Sequence, residues 1–152
     1  MLRISKSASV TVSIILTALF CAVLLAAAFI LPGFVRLIAP AALRPLGQSD
    51  GMLVLVSGYL ILLFALLAAV MLIRLLLLVR SGSVFTAKAV SLIRGVSWCA
   101  LAISLVFLAM TWYYLVALVL AFTAALLGLC LRVVKNVIEE ATAIKSENDL
   151  TV

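Results

Sequence analysis

The stretch RGVSWCALAISLVFLAMTWYYLVALVLAFTAALLGLCLR, residues 94–132, decides the fold. Arg94 and Arg132 bracket 37 residues that carry no charge. As one α-helix this run would reach about 55 Å at 1.5 Å per residue. A bilayer core of about 30 Å needs only ~20 helical residues. Trp112, Tyr113 and Tyr114 stand at the middle of the run, and Trp and Tyr favour the membrane–water interface. The run therefore reads as a hairpin, with helices over 87–110 and 115–134 and a turn at 111–114.

The rest of the chain supports a lipid solvent. Of its 152 residues, 68% are hydrophobic and 11% charged, and the mean hydropathy is +1.47. A soluble domain is about half apolar, and a chain this short cannot fold so much apolar surface inward. The net charge of +6 does not point to direct nucleic-acid binding, because the basic residues flank long apolar runs, where they set topology.

Upstream, residues 8–31 form a first apolar run, long enough to span. Ala26, Ala27 and Ala28 resemble a cleavage site, but the run exceeds the ~7–15-residue core of a signal peptide. Phe20 before Cys21 argues against lipoprotein processing. Pro32, Pro40 and Pro45 then break the pattern, since proline removes a backbone donor. Phe34, Val35, Leu37 and Ile38 suggest a short piece lying along the interface. A second span covers 52–79, with Arg74 near its end, placed to snorkel to the headgroups. In the loop that follows, Gly82 suits a helix stop. Thr86 suits an N-cap, and Phe85 with Val90 forms a hydrophobic staple.

Downstream, Val134, Val137, Ile138, Ala141 and Ile144 fall at helical spacing along one face. The acids Glu139, Glu140 and Glu147 lie elsewhere on the wheel. The fourth helix is thus expected to continue beyond the membrane as an amphipathic extension, ending at Ser146-Glu147-Asn148-Asp149. Lys and Arg orient the whole. Nine of them (Arg3, Lys6, Arg74, Arg80, Lys88, Arg94, Arg132, Lys135 and Lys145) fall on the side of the termini and central loop, and two, Arg36 and Arg44, on the other. Positive residues stay inside. The expected fold is an all-α integral membrane protein of one domain, residues 1–152. It is a four-transmembrane-helix bundle with both termini cytoplasmic and a cytoplasmic tail over 135–152.

The spans offer little chemistry. The chain has no His, and no Asp or Glu falls within a span. Intramembrane hydrolysis needs metal ligands or a paired nucleophile and base, and ion-coupled carriers place acids in the membrane. Neither an enzyme nor a cofactor or metal site is expected. Thr17, Ser57, Ser104 and Thr123 are expected to bond backbone carbonyls or a neighbouring helix. Cys21, Cys99 and Cys130 show no metal spacing and read as small packing residues. Ala18, Ala22 and Ala26 share a face of the first helix, and Ala117, Ala121 and Ala125 a face of the fourth. Such small faces suit packing within the chain or a homo-oligomeric seam. The acidic tail matches no EF-hand loop. Its apolar stripe beside acids is what a helix-in-groove contact uses.

Two segments carry a resemblance. Ser81-Gly82-Ser83-Val84-Phe85-Thr86 with Val90-Ser91-Leu92-Ile93-Arg94 is one, and Val137-Ile138-Glu139-Glu140 with Ser146-Glu147-Asn148-Asp149-Leu150-Thr151-Val152 the other. They resemble the bacterial membrane family catalogued as domain of unknown function 2975. Its members are similar in length, have four predicted spans and often end in Glu-Asn-Asp-Leu-Thr-Ile, where this chain has Val152. The resemblance implies a bacterial cytoplasmic membrane location. It also implies a partner rather than a reaction, because such proteins are often encoded beside XRE-type helix-turn-helix regulators. Docking would then involve Phe85, Thr86 and Arg94 in the central loop region. In the tail it would involve Val137, Ile138, Glu139, Glu140, Glu147, Asn148 and Asp149. The competing readings are a small oligomeric transporter or channel, which needs a polar pathway, and an accessory subunit of a larger membrane complex.

Overall fold

A computed structural model describes residues 6–82 and 86–150, with side chains described within 9–144. The described chain is helical throughout, with α1 at Lys6–Ile38, α2 at Gln48–Arg80, α3 at Ala87–Met110 and α4 at Val116–Leu150. A short 3-10 turn, Ala39–Ala41, follows α1. All four helices are long and apolar enough to cross a membrane, the build of a multi-pass membrane protein. The charge-free run is a hairpin, as expected, with Tyr113 N–H donating to Met110 O at 3.0 Å where α3 ends.

The first break is the main departure. Pro32 was expected to end the first helix near residue 31, yet α1 continues to Ile38. Phe34, Val35, Leu37 and Ile38 form its last turns rather than a separate interfacial piece. Proline in a helix orphans the carbonyl four residues before it, here Ala28. That carbonyl accepts a hydrogen bond from the Tyr59 hydroxyl of α2 at 3.2 Å. In lipid a proline is tolerated where a neighbouring helix satisfies the freed group, which is what Tyr59 does.

The helix termini follow local chemistry. Asp50, in the first turn of α2, accepts from the Gly47 N–H at 3.2 Å and favours the positive end of the helix dipole. α2 thereby starts at Gln48, earlier than the expected 52. It stops at Gly82, whose φ of +76° is the left-handed turn that glycine adopts without strain. Thr86 caps α3, its hydroxyl accepting from Ala89 N–H at 3.3 Å. The proposed staple partner, Phe85, lies outside the described residues. α4 runs unbroken to Leu150, past the stop expected at 146–149.

Helices pack on their sequence neighbours: α1 on α2, α2 on α3 and, most extensively, α3 on α4. On α1 the half-buried line runs through Thr17, Cys21, Leu24, Ala28 and Leu31 to buried Val35. Ala18, Ala22 and Ala26 are exposed instead, so the small face of α1 is not its seam to α2. Gly58 is that seam's close approach, since a Cβ there would meet Leu31 Cδ2 at 3.0 Å. Gly95 plays the same part between α3 and Met71 of α2. Between α3 and α4, Ser97 donates to Gly128 O and Ser104 to Ala121 O, each at 2.8 Å. Buried Ala117 and Ala121 confirm the small face of α4 as an internal seam. Thr17 and Thr123 bond carbonyls of their own helices, as expected.

The expected bundle is only partly closed. α1 and α4 form no packed seam among the described residues, and an apolar cleft of about 540 Å³ lies where all four helices approach the turns. Leu43 N–H donates to Tyr113 O at 2.9 Å, and the Tyr113 hydroxyl to Asp50 Oδ1 at 3.2 Å. The α1–α2 connection and the α3–α4 turn therefore meet at one end, the turn end. The α2–α3 loop and the α4 extension share the other, the basic end.

Candidate functional site

At the basic end, two segments distant in sequence come together. α3 begins at the Thr86 cap and presents Arg94 two turns later. α4, beyond Arg132, presents Lys135 and then Glu139 on successive turns. Glu139 Oε1 lies 3.5 Å from Arg94 Nη2, and its other carboxylate oxygen pairs with Lys135 Nζ. The Lys135–Glu139 spacing of four places both on one helix face, where opposite charges attract. Lys135 is mostly covered, its side chain 15% exposed, whereas Arg94 and Glu139 are about half exposed. A small cleft of about 250 Å³ between the helices is lined by Ala87, Val90, Ser91, Arg94, Glu139 and Thr142.

The electrostatics favour the charged form of Glu139. The Lys135 hydrogen bond, with the charges of Lys135 and Arg94, holds the Glu139 carboxyl below the usual carboxylate range, against a smaller opposing effect of burial. A lowered carboxyl contributes stability that is present above the ordinary carboxylate range and lost as pH falls through its folded value. Exposed pairs of this kind add little stability, so the trio orients the α4 extension on α3 more than it holds it there. Arg132 adds a further anchor, its guanidinium 4.7 Å from the ring centre of Trp98.

The sequence-derived candidates divide into those the fold unites and those it does not. Arg94 and Glu139 are joined. Thr86 is an N-cap as well as a loop residue. Val137 is exposed and Ile138 half-buried, so the apolar stripe splits. Val134, Val137 and Ile144 remain open, at 47%, 61% and 57% exposure, beside exposed Glu140, while Ile138 and Ala141 are half-covered. The Phe85 candidate lies outside the described residues. The backbones of Glu147, Asn148 and Asp149 belong to α4, and their side chains lie outside the described set. Lys135 was not among the candidates, although its spacing to Glu139 announces the pair. The contact of Arg94 with Glu139 has no local signature, because 45 residues separate them and only the α3–α4 hairpin joins them.

Among the described residues no group of His, Cys, Asp and Glu could hold a metal ion. Cys21 is half-buried, Cys99 buried and Cys130 exposed, all three as free thiols. The described residues of the site combine a charged trio with open apolar side chains.

Neither a curated protein nor a solved structure matches the chain. A family model described as protein of unknown function (DUF2975) does, over residues 26–152. That match takes in the latter part of α1, the remaining three helices, the central loop and the tail. The four apolar helices and the two motif segments thus find their common origin, and the chain belongs to the DUF2975 family.

Proposed function

We propose that this is a non-enzymatic membrane protein that docks a cytoplasmic helix-turn-helix regulator of the XRE type at its basic end. One observation supports the reading above others: Arg94 of α3 and Glu139 of α4 meet, so the first turns of α3 and the α4 extension share one face. The open stripe of Val134, Val137 and Ile144 beside Glu140 supplies the apolar and acidic elements of a helix-in-groove contact. The kind of partner comes from the family resemblance. The charge count, nine basic residues against two, supports an orientation with this end and both termini in the cytoplasm of a bacterial inner membrane.

The test is co-purification of the regulator encoded beside the gene with full-length protein and with a form ending at Lys135. Full-length protein should retain the regulator and the truncated form should lose it. Equal retention by both, or by neither, overturns the proposal. Charge reversal at Glu140 with Val137→Asp should weaken retention at least tenfold while leaving the membrane yield unchanged.

A further inference from the structure

We propose that the outer surface of the α3–α4 seam, near the basic end, binds one anionic phospholipid, its phosphate held by Arg132 on the ring of Trp98. The run of the helices brings these two side chains together. Side chains on a helix tilt toward its N-terminus. α3 runs from the basic end to the turn end and α4 runs back. Trp98 therefore reaches toward the basic end and Arg132 away from it. Ser97 donates to Gly128 O, which sets the register. Trp98 follows Ser97, and Arg132 stands about one turn beyond Gly128. The guanidinium comes to lie 4.7 Å from the ring centre. Neither side chain is covered, Trp98 being 56% exposed and Arg132 also exposed.

The charge at this end is unbalanced. Among the described side chains, Arg74, Arg80, Lys88, Arg94, Arg132 and Lys135 are basic, against the acids Glu139 and Glu140. Glu139 is shared by Arg94 and Lys135. Arg132 has no ion-pair partner among the described residues, although it falls within a helix apolar enough to cross a membrane. A charge at membrane depth is costly and calls for a counter-charge or a route to the headgroups. Stacking on Trp98 holds Arg132 against the protein surface, and the anion within reach there is a lipid phosphate.

The stacked geometry suits that anion. Stacking occupies one face of the guanidinium and leaves its in-plane N–H donors free. Those donors form a fork that matches two phosphate oxygens. Toward the turn end the same surface is apolar. Leu105, about two turns beyond Trp98, is 68% exposed, and Leu129, one turn before Arg132, is 53% exposed. They give the acyl chains a wall beside the charge. In a zwitterionic lipid the lipid's own ammonium offsets the phosphate, so an unpaired arginine selects a headgroup of net negative charge. The site is separate from the docking stripe, whose Val137 and Ile144 lie further along α4.

The experiment uses purified full-length protein in detergent, titrated with phosphatidylglycerol and phosphatidylcholine of identical chains and followed by native mass spectrometry. The wild type should bind its first phosphatidylglycerol about tenfold more tightly than phosphatidylcholine, the scale of one charge-assisted hydrogen bond. Arg132→Gln should abolish that preference. Arg80→Gln removes the same charge from the same end and should keep it. Trp98→Leu leaves an apolar body without the ring, and should lower the preference about threefold. Glycerol phosphate, which carries the phosphate without chains, should not displace the lipid at millimolar concentration. All three positions are exposed, and the membrane yield checks that the variants fold. A wild type without preference overturns the proposal. So does an equal loss in Arg132→Gln and Arg80→Gln, which would mean diffuse attraction to the whole basic end. A preference untouched by Trp98→Leu, or displacement by glycerol phosphate, overturns it as well.

Discussion

At the scale of single residues, the hydroxyls carry most of the specific structure. In an apolar solvent each polar atom must be met within the protein. Ser97 and Ser104 meet carbonyls of α4. Tyr59 meets the carbonyl that Pro32 leaves without its helical donor. That pairing makes a testable coupling. Tyr59→Phe should destabilise the protein by about 0.5–1.5 kcal/mol, the ordinary value of one hydrogen bond. In a Pro32→Ala background, Ala28 O regains a backbone donor and the same change should cost close to nothing. Reversible unfolding in mixed micelles, run as a double-mutant cycle, measures the difference. Additive effects would show that Tyr59 does not compensate for the proline. Both residues are plain in the sequence, but their partnership is not, since 27 positions separate them and only the α1–α2 packing aligns them.

At the scale of elements, the glycines distinguish two kinds of close contact. At Gly128 an added Cβ would meet the branch of Leu101 at 3.0 Å and the Ser97 carbonyl at 3.3 Å. Backbone and a γ-branched side chain yield little there. At Gly95 the nearest atoms are Met71 Sδ at 2.5 Å and Cε at 3.1 Å, the far end of a flexible side chain that can swing aside. Gly128→Ala should therefore cost about 1–3 kcal/mol, the usual price of overpacking, and weaken the α3–α4 seam. Gly95→Ala should be nearly neutral. Thermal unfolding of the two variants, side by side in one detergent, checks the order. Equal losses would mean that the α2–α3 crossing is as rigid as the α3–α4 seam. The elements were legible where their chemistry is local. The α3 limits, the Thr86 cap and the Gly82 stop all follow from adjacent residues. The continuation of α1 through Pro32 was not legible, because it depends on a donor from another helix.

At the scale of the whole molecule, two Arg–Trp pairs mark two levels. Arg132 with Trp98 lies near the basic end and Arg44 with Trp112 at the turn end. The two tryptophans are 14 positions apart, about 20 Å along a helix axis. Amphipathic rings and cations of this kind favour the interfacial zones of a bilayer. The proposed orientation makes a direct prediction. A fluorescent protein fused after Val152 should fold and emit, as it does in the cytoplasm. Alkaline phosphatase inserted after Gly47, in the connection between α1 and α2, should be active, as it is outside. An active phosphatase at the C-terminus would reverse the orientation and remove the basic end from any cytoplasmic partner.

The sequence by itself determined the solvent, the number of apolar helices and the hairpin in the charge-free run. Those follow from composition, from a length of 37 residues against the bilayer's thickness, and from Trp and Tyr at its centre. All of these are properties of contiguous chain. The tertiary structure decided which small faces pack inside the chain and which stay exposed, who satisfies the carbonyl freed by Pro32, and that Arg94 meets Glu139. It also left the Tyr114 hydroxyl buried without a hydrogen-bond partner. Each of these joins residues far apart in the chain, and in a medium without water a polar atom's partner is set by which helix lies beside it.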